Sequence, residues 1–505
     1  MTRLQNSGSP PSACKGRILF LFLLSSLALL SGCAVGPRYS RPKTDVPAAY
    51  KEVPEGWKNA QPSDQIAKGK WWEIFGDPQL NTLEETVSVS NQTLKASLAQ
   101  YEQARALVRF NRADYYPTVT GGASGSRVRQ SQNRALATTL SPTNYSDIQL
   151  PVIGVSYEPD LFGRVRKTVE AARSNAQASA GDLENVSLSI HCALAVDYFE
   201  LRTLDAEEQL LTSTVAAYQK ALELTQNRYQ GGVASAVDVA QAETQLETTR
   251  AQQIDVQVAR AQFEHAIAVL IGQPAPEFSL SFAPWTTPPP VIPAGLPSDL
   301  LERRPDIAAS ERRVSAANAQ IGVARAAYFP QLSLSGSGGF ESDTITNLLN
   351  GSSGFFSLGA SALVTAFDVG RRRAVSDQAK AAYDESVANY RQTILTSFQE
   401  VEDNLAALRI LENEAKTQDG AVAAAERSLQ LSENRYKGGV TNYLEVTTAQ
   451  GIALTDERLA VQILARRMTA SVQLIQALGG GWNSAQLPQA KQLTDRSATQ
   501  ARSGQ

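Results

Sequence analysis

Few residues of this 505-residue chain have the types and spacing that chemistry needs. His191 and Cys192 adjoin, but neighbouring helical residues point about 100° apart. Two histidines in the whole chain leave no metal-ligand set, so His191 and Cys192 are expected as packed or exposed helix residues. No acid, base and nucleophile form a catalytic pattern; neither an enzyme nor a cofactor is expected. What remains are groups suited to binding. Asn227-Arg228-Tyr229-Gln230-Gly231-Gly232-Val233 places a guanidinium and a phenol just before paired glycines, and Asn434-Arg435-Tyr436-Lys437-Gly438-Gly439-Val440 repeats it 207 residues later. A carboxylate follows each at the same offset, Asp238 and Glu445.

Those motifs end two long helices. From Gly163 to Gln230 apolar residues recur at heptad spacing (among them Ile190, Leu194, Leu201, Leu211, Tyr218 and Leu222), with Asp197 and Glu208 as interruptions. No proline falls between Arg164 and Gln230. The spacing predicts one helix on the order of 100 Å long, reversed where the paired glycines supply positive φ angles. The second copy repeats the seam as Ile394, Val401, Leu408, Ala415, Val422, Leu429 and Tyr436, beside a more polar column of Ser397, Asn404 and Gln418. The register holds from Gly163 and Gly370 to Gly272 and Gly479, and a constant offset over so long a stretch means a duplicated structural unit.

The flanking elements repeat as well. A helix from about Gln79 to Tyr116 precedes Pro117, and one from Pro305 to Phe329 precedes Pro330; proline stops both. Period-two segments follow at 118–125 and 153–157, then at 331–338 and 356–365, joined by polar loops 130–147 and 342–353. One apolar and one polar face over about ten residues fits a membrane strand. Tyr115, Tyr116, Tyr157, Phe329, Phe340 and Phe367 fall at strand ends, where an aromatic girdle lies. Strands in a bilayer must close on themselves, and four cannot enclose a pore, so several chains are expected to share one barrel. Shorter helices, about Ser235–Ile271 and Thr441–Leu478, follow the glycine turns. Stacked on the other short helices, they give each copy a second, spliced rod. The organisation is thus an irregular segment over 33–78, a first repeat over 79–272, a Pro-rich linker over 273–297, a second repeat over 298–479 and a flexible tail over 480–505.

Residues 1–32 follow another logic. Lys15 and Arg17 precede a short apolar run, Ile18–Leu30, and small residues follow, as in a secretory signal peptide. Leu30-Ser31-Gly32-Cys33 resembles the bacterial lipoprotein box, which implies cleavage before Cys33 and its acylation. Ala34, rather than an Asp, then implies outer-membrane sorting. Each buried methylene of such an anchor contributes about 0.8 kcal/mol. Removing residues 1–32 takes away Arg3, Lys15 and Arg17 and no acid, moving the net charge from -3 to -6. That argues against nucleic acid as a partner.

Trp72 with Phe75-Gly76-Asp77-Pro78 and Leu80, Asp160-Leu161-Phe162-Gly163, Leu300-Leu301-Glu302-Arg303-Arg304-Pro305-Asp306-Ile307 and both glycine tips resemble the outer-membrane efflux family. The likeness is to TolC-like proteins, and especially to OprM/NodT-type lipoproteins of RND efflux systems. It covers residues 33 to about 480. It implies a mixed α and β membrane protein, a homotrimer with a 12-stranded outer-membrane β-barrel continued by a 12-helix periplasmic α-helical barrel. It implies a passive exit duct for small molecules such as drugs, served by a periplasmic adaptor (membrane fusion protein) and an inner-membrane pump of RND type. In that family Arg228, Tyr229, Gly231, Gly232, Arg435, Tyr436, Gly438 and Gly439 would form the adaptor-facing tips. Leu444 and Glu445 occupy periplasmic gate positions, with Asp238 equivalent to Glu445. Where some relatives carry an Asp one turn on, this chain has Thr448, so a second acidic ring is in doubt. Carboxylates ringed around an axis repel one another and bind cations. Arg303, Arg304 and Asp306 read as architecture, with Pro305 in a first helical turn and Asp306 near its positive end. A duct for type I polypeptide secretion shares all these features, and a non-conducting structural periplasmic coiled-coil lipoprotein shares many.

Overall fold

The computed structural model describes residues 35–52, 69–131, 133, 144–292 and 297–495. The expected signal peptide over 1–32, Cys33, most of loop 130–147 and the end of the tail lie outside them. By contact the chain divides into two compact units, each drawing on both repeats.

The first unit comprises residues up to Pro42, Ala104–Ala176 and Arg312–Val387. It holds one antiparallel sheet of β1 (Thr118–Arg129), β2 (Asn144–Tyr157), β3 (Gln331–Ser342) and β4 (Gly354–Leu363), in sequential order. Each repeat supplies one hairpin, and β2 joins them by pairing with β3, Tyr157 opposite Leu334. The strands outrun the alternation in their sequences. β2 begins inside the expected loop because Asn144 pairs with Arg129, and backbone pairing holds the ladder where side chains give no pattern. In the single chain the edge strand β4 exposes Phe356 and Leu358.

The second unit comprises Lys43–Gln103, Gln177–Glu311 and the chain from Ala388. The helices, several with residues in both units, are α1 (Pro78–Ser90), α2 (Gln92–Ala113), α3 (Arg164–Gln230), α4 (Ala236–Leu270), α5 (Pro305–Ala326), α6 (Arg371–Lys437) and α7 (Tyr443–Ala477). A single turn, Leu300–Arg303, precedes α5. α3 and α6 each run 67 residues. Among the described residues no helix is long and apolar enough to cross a membrane. The seam of α3 is buried at Leu194, Leu201 and Leu211, and that of α6 at Ile394 and Val401. The polar column of α6 packs too: Ser397 is buried with its hydroxyl donating to the Ile394 carbonyl at 2.7 Å.

Two expectations are corrected. The helix expected over 79–116 breaks at Asn91, whose backbone is extended (φ −59°, ψ 125°) and whose Oδ1 accepts from the Leu94 amide at 2.9 Å, capping α2. The tail expected to be flexible packs as far as it is described: Leu493 is buried, and Gln177 donates to the Pro488 carbonyl at 3.0 Å. His191 and Cys192 are packed helix residues. The His191 ring stacks on Trp72 at 4.7 Å, and its Nδ1 lies 2.6 Å from buried Glu84. Burial holds the Glu84 carboxyl well above the usual carboxylate range and lowers the His191 imidazole to about 4.

Candidate functional site at the paired helix tips

α3 and α6 end alike. Gly232 and Val233 amides donate to the Tyr229 and Arg228 carbonyls at 2.9 and 2.8 Å, and Gly439 and Val440 to those of Tyr436 and Arg435 at 3.0 and 2.9 Å. This is the Schellman closure of a helix end. Only the second glycine of each pair is left-handed, with φ of +76° at Gly232 and +73° at Gly439. Gly231 and Gly438 have ordinary backbone, which corrects the expectation that both members supply positive φ.

The four helices meeting there share one core of Tyr218 and Leu222 from α3, Leu246 from α4, Tyr436 from α6, and Tyr443 and Val446 from α7. Tyr436 meets Tyr443 edge-on at 5.2 Å, and Tyr218 donates to the Gln450 carbonyl at 3.1 Å. The two copies are therefore stitched together at their tips. The Arg228 guanidinium sits 4.6 Å over the Tyr436 ring and donates to the Lys437 carbonyl at 3.1 Å. Arg435 instead donates to Glu445 Oε1 at 2.9 Å, while Thr441 donates to the other carboxylate oxygen at 2.5 Å. The equivalent Asp238 caps α4: its Oδ2 accepts from the Ser235 amide at 2.9 Å, and the Ser235 hydroxyl accepts from the Asp238 amide at 3.2 Å. Leu444 and Thr448 share one exposed face of α7, four residues apart, and the Thr448 hydroxyl donates back to the Leu444 carbonyl at 2.8 Å. Tyr229 is 50% exposed and Tyr436 only 5%. Cys33 lies outside the described residues.

Sequence reasoning missed how the spliced rods are joined. α4 ends against the break at Asn91, where Asn91 Nδ2 donates to the Leu270 carbonyl at 2.7 Å. α7 ends against Arg304, whose Nη1 donates to the Ala477 carbonyl at 3.1 Å. Arg304 also pairs with Asp306 at 2.7 Å and Glu400 at 2.6 Å, so the Arg-Pro-Asp motif is architecture, as expected. A Cβ at Gly272 or Gly479 would collide with the Ser90 or Arg303 carbonyl, which is why each rod end carries glycine. The available signal was the 213-residue offset that pairs Pro117 with Pro330, since it also pairs Asn91 with Arg304.

Compared with known proteins, residues 85–273 and 296–480 match the family described as outer membrane efflux protein. The chain belongs to that family. The antibiotic efflux pump outer membrane protein ArpC of Pseudomonas putida is 34% identical over 468 residues, 92% of this chain and 95% of ArpC. The outer-membrane channel OprN superposes with a TM-score of 0.83 at 29% identity, covering 89% of this chain and all of OprN. The CmeC outer membrane channel of Campylobacter jejuni gives 0.85 at 26% identity, covering 93% of this chain and 98% of CmeC. This outer membrane efflux protein is not an enzyme.

Proposed function

We propose that this outer membrane efflux protein is the exit duct of a tripartite pump. Three copies close their strands into one 12-stranded barrel and set their rods into a 12-helix tunnel through the periplasm. Acylated Cys33 anchors each copy in outer-membrane lipid. The tips dock a periplasmic adaptor that carries an inner-membrane pump of RND type, and small molecules leave passively. The observation that carries this reading is the pair of 67-residue helices. Each is about 100 Å long by helical rise, far beyond the core-packing need of an ordinary domain, and each ends in a reversed, partly exposed tip. The open edge of β4 supports a shared barrel, because a lone four-stranded sheet leaves unpaired edges that lipid does not tolerate.

At the tips, Leu444 and Glu445 face the axis as the gate. Arg435 and Thr441 hold Glu445, and their release would accompany opening. The cargo class follows from a relative named for antibiotic efflux. Deleting the gene and measuring retention of antibiotics and dyes alongside the secreted proteins tests this. Higher small-molecule retention with unchanged secretion is expected; lost secretion with normal retention would make the chain a polypeptide-secretion duct instead.

A further inference from the structure

The two copies treat the strand-to-helix junction differently. In the first, Arg164 donates to both carboxylate oxygens of Glu158 at 2.9 and 2.8 Å, and Arg166 donates to Asp160 at 3.1 Å. Both cations are matched within the protein. The 207-residue offset carries Arg164 and Arg166 onto Arg371 and Arg373, but it carries Glu158 onto Thr365 and Asp160 onto Phe367. The cations persist without their partners. Among the described residues no carboxylate pairs with Arg371 or Arg373, and both are exposed. Only Arg372 between them is held, by Asp368 at 2.6 Å. Positive charge in a first helical turn opposes the helix dipole, so the arrangement favours an anion supplied from outside.

Both replacing side chains are exposed, and Phe367 is apolar. Phe367 is 83% exposed. In the first copy Phe162 stacks on Phe329 at 4.8 Å, but its counterpart Val369 is 86% exposed. Val369 also has φ of +54°, a costly backbone for a β-branched residue. Asp368 fixes this loop by accepting from the Gly370 and Arg372 amides at 3.1 and 3.2 Å. The patch continues the exposed apolar surface at Leu363, the last residue of β4, and Val364 just beyond it. Apolar rings beside cations on apolar stems suit a lipid–water boundary.

We propose that Phe367, Val369, Arg371 and Arg373 form a docking surface for the headgroup phosphates of anionic phospholipids at the helix-side membrane boundary. The proposal rests on the reading of the sheet as a membrane wall. Phe367 and Val369 enter the boundary, and the guanidiniums meet phosphate oxygens with paired N–H donors. The first copy, neutralised internally, makes no such demand.

The test uses the full-length, delipidated protein returned to vesicles of phosphatidylcholine with or without phosphatidylglycerol, with lipids retained on the extracted protein counted by native mass spectrometry. Wild type is expected to retain phosphatidylglycerol preferentially. Arg371→Gln with Arg373→Gln should lower that preference on the order of tenfold, while Arg164→Gln with Arg166→Gln leaves it unchanged. Phe367→Ser should reduce retention of both lipids. An unaltered preference in the 371/373 variant overturns the proposal. So does cross-linking of Arg373→Cys to another copy of the chain rather than to lipid. Wild type that enters neither kind of vesicle defeats the membrane-wall reading itself, an outcome distinct from lost lipid preference in an inserted protein.

Discussion

The two tips share one sequence pattern and one backbone closure, yet their arginines serve different neighbours. Arg228 crosses to the other copy, over Tyr436 and onto the Lys437 carbonyl. Arg435 stays at home and holds Glu445. Tyr436 is consequently core and Tyr229 is surface, while Asp238 is a helix cap and Glu445 a tethered carboxylate. Duplication set the backbone twice, and each side chain then took its role from what packs against it. The first tip braces the pair; the second holds a tethered carboxylate.

The largest effect expected from this asymmetry is at the tyrosines. Tyr436→Ala should cost about 3–5 kcal/mol in denaturant unfolding, as truncation of a buried ring does, whereas Tyr229→Ala should stay within about 0.5 kcal/mol. Equal losses would erase the distinction. Gly232→Ala and Gly439→Ala should each lower stability by about 1–2 kcal/mol through left-handed strain. Gly231→Ala should cost less in the same melts, because its Cβ meets only the Asn227 carbonyl at 3.4 Å and the Arg228 carbonyl at 3.6 Å. Asp238→Ala should cost about 1 kcal/mol or less by removing the reciprocal half of the α4 capping box, whose N-cap Ser235 remains. Glu445→Ala should cost less than that, since partly exposed ion pairs contribute about 0.2–1 kcal/mol.

A pH-dependent effect lies away from the tips, at Asp197, one of the seam's acidic interruptions. Burial, with Glu200 adding, pushes the Asp197 carboxyl from 3.8 up to about 6. A raised pKa means that the folded state holds the proton more tightly. Its contribution is full below about pH 4 and is lost as pH rises through 6. Melting of Asp197→Asn followed between pH 4 and 7 should show a flatter profile than wild type.

Heptad spacing and glycine pairs made the long helices, their reversal and the duplication legible, because periodicity and positive φ leave direct marks in sequence. The break at Asn91 was not legible as a break: the segment keeps a helical composition, and the extended backbone is stabilised by the distant carbonyl of Leu270. β2 began earlier than its alternation because its pairing with Arg129 is a property of two strands. At the tips, the sequence marked the residues and their equivalence. It could not say which tyrosine would be buried, because that depends on Arg228 crossing between copies that are 207 residues apart in sequence.

Single-channel conductance of the purified protein in planar bilayers tests the duct most directly, with wild type compared against Glu445→Ala. Small or rare wild-type openings that grow or lengthen when Glu445 is removed are the predicted result. Absence of conductance from both assembled proteins would contradict the duct and leave a structural lipoprotein in its place.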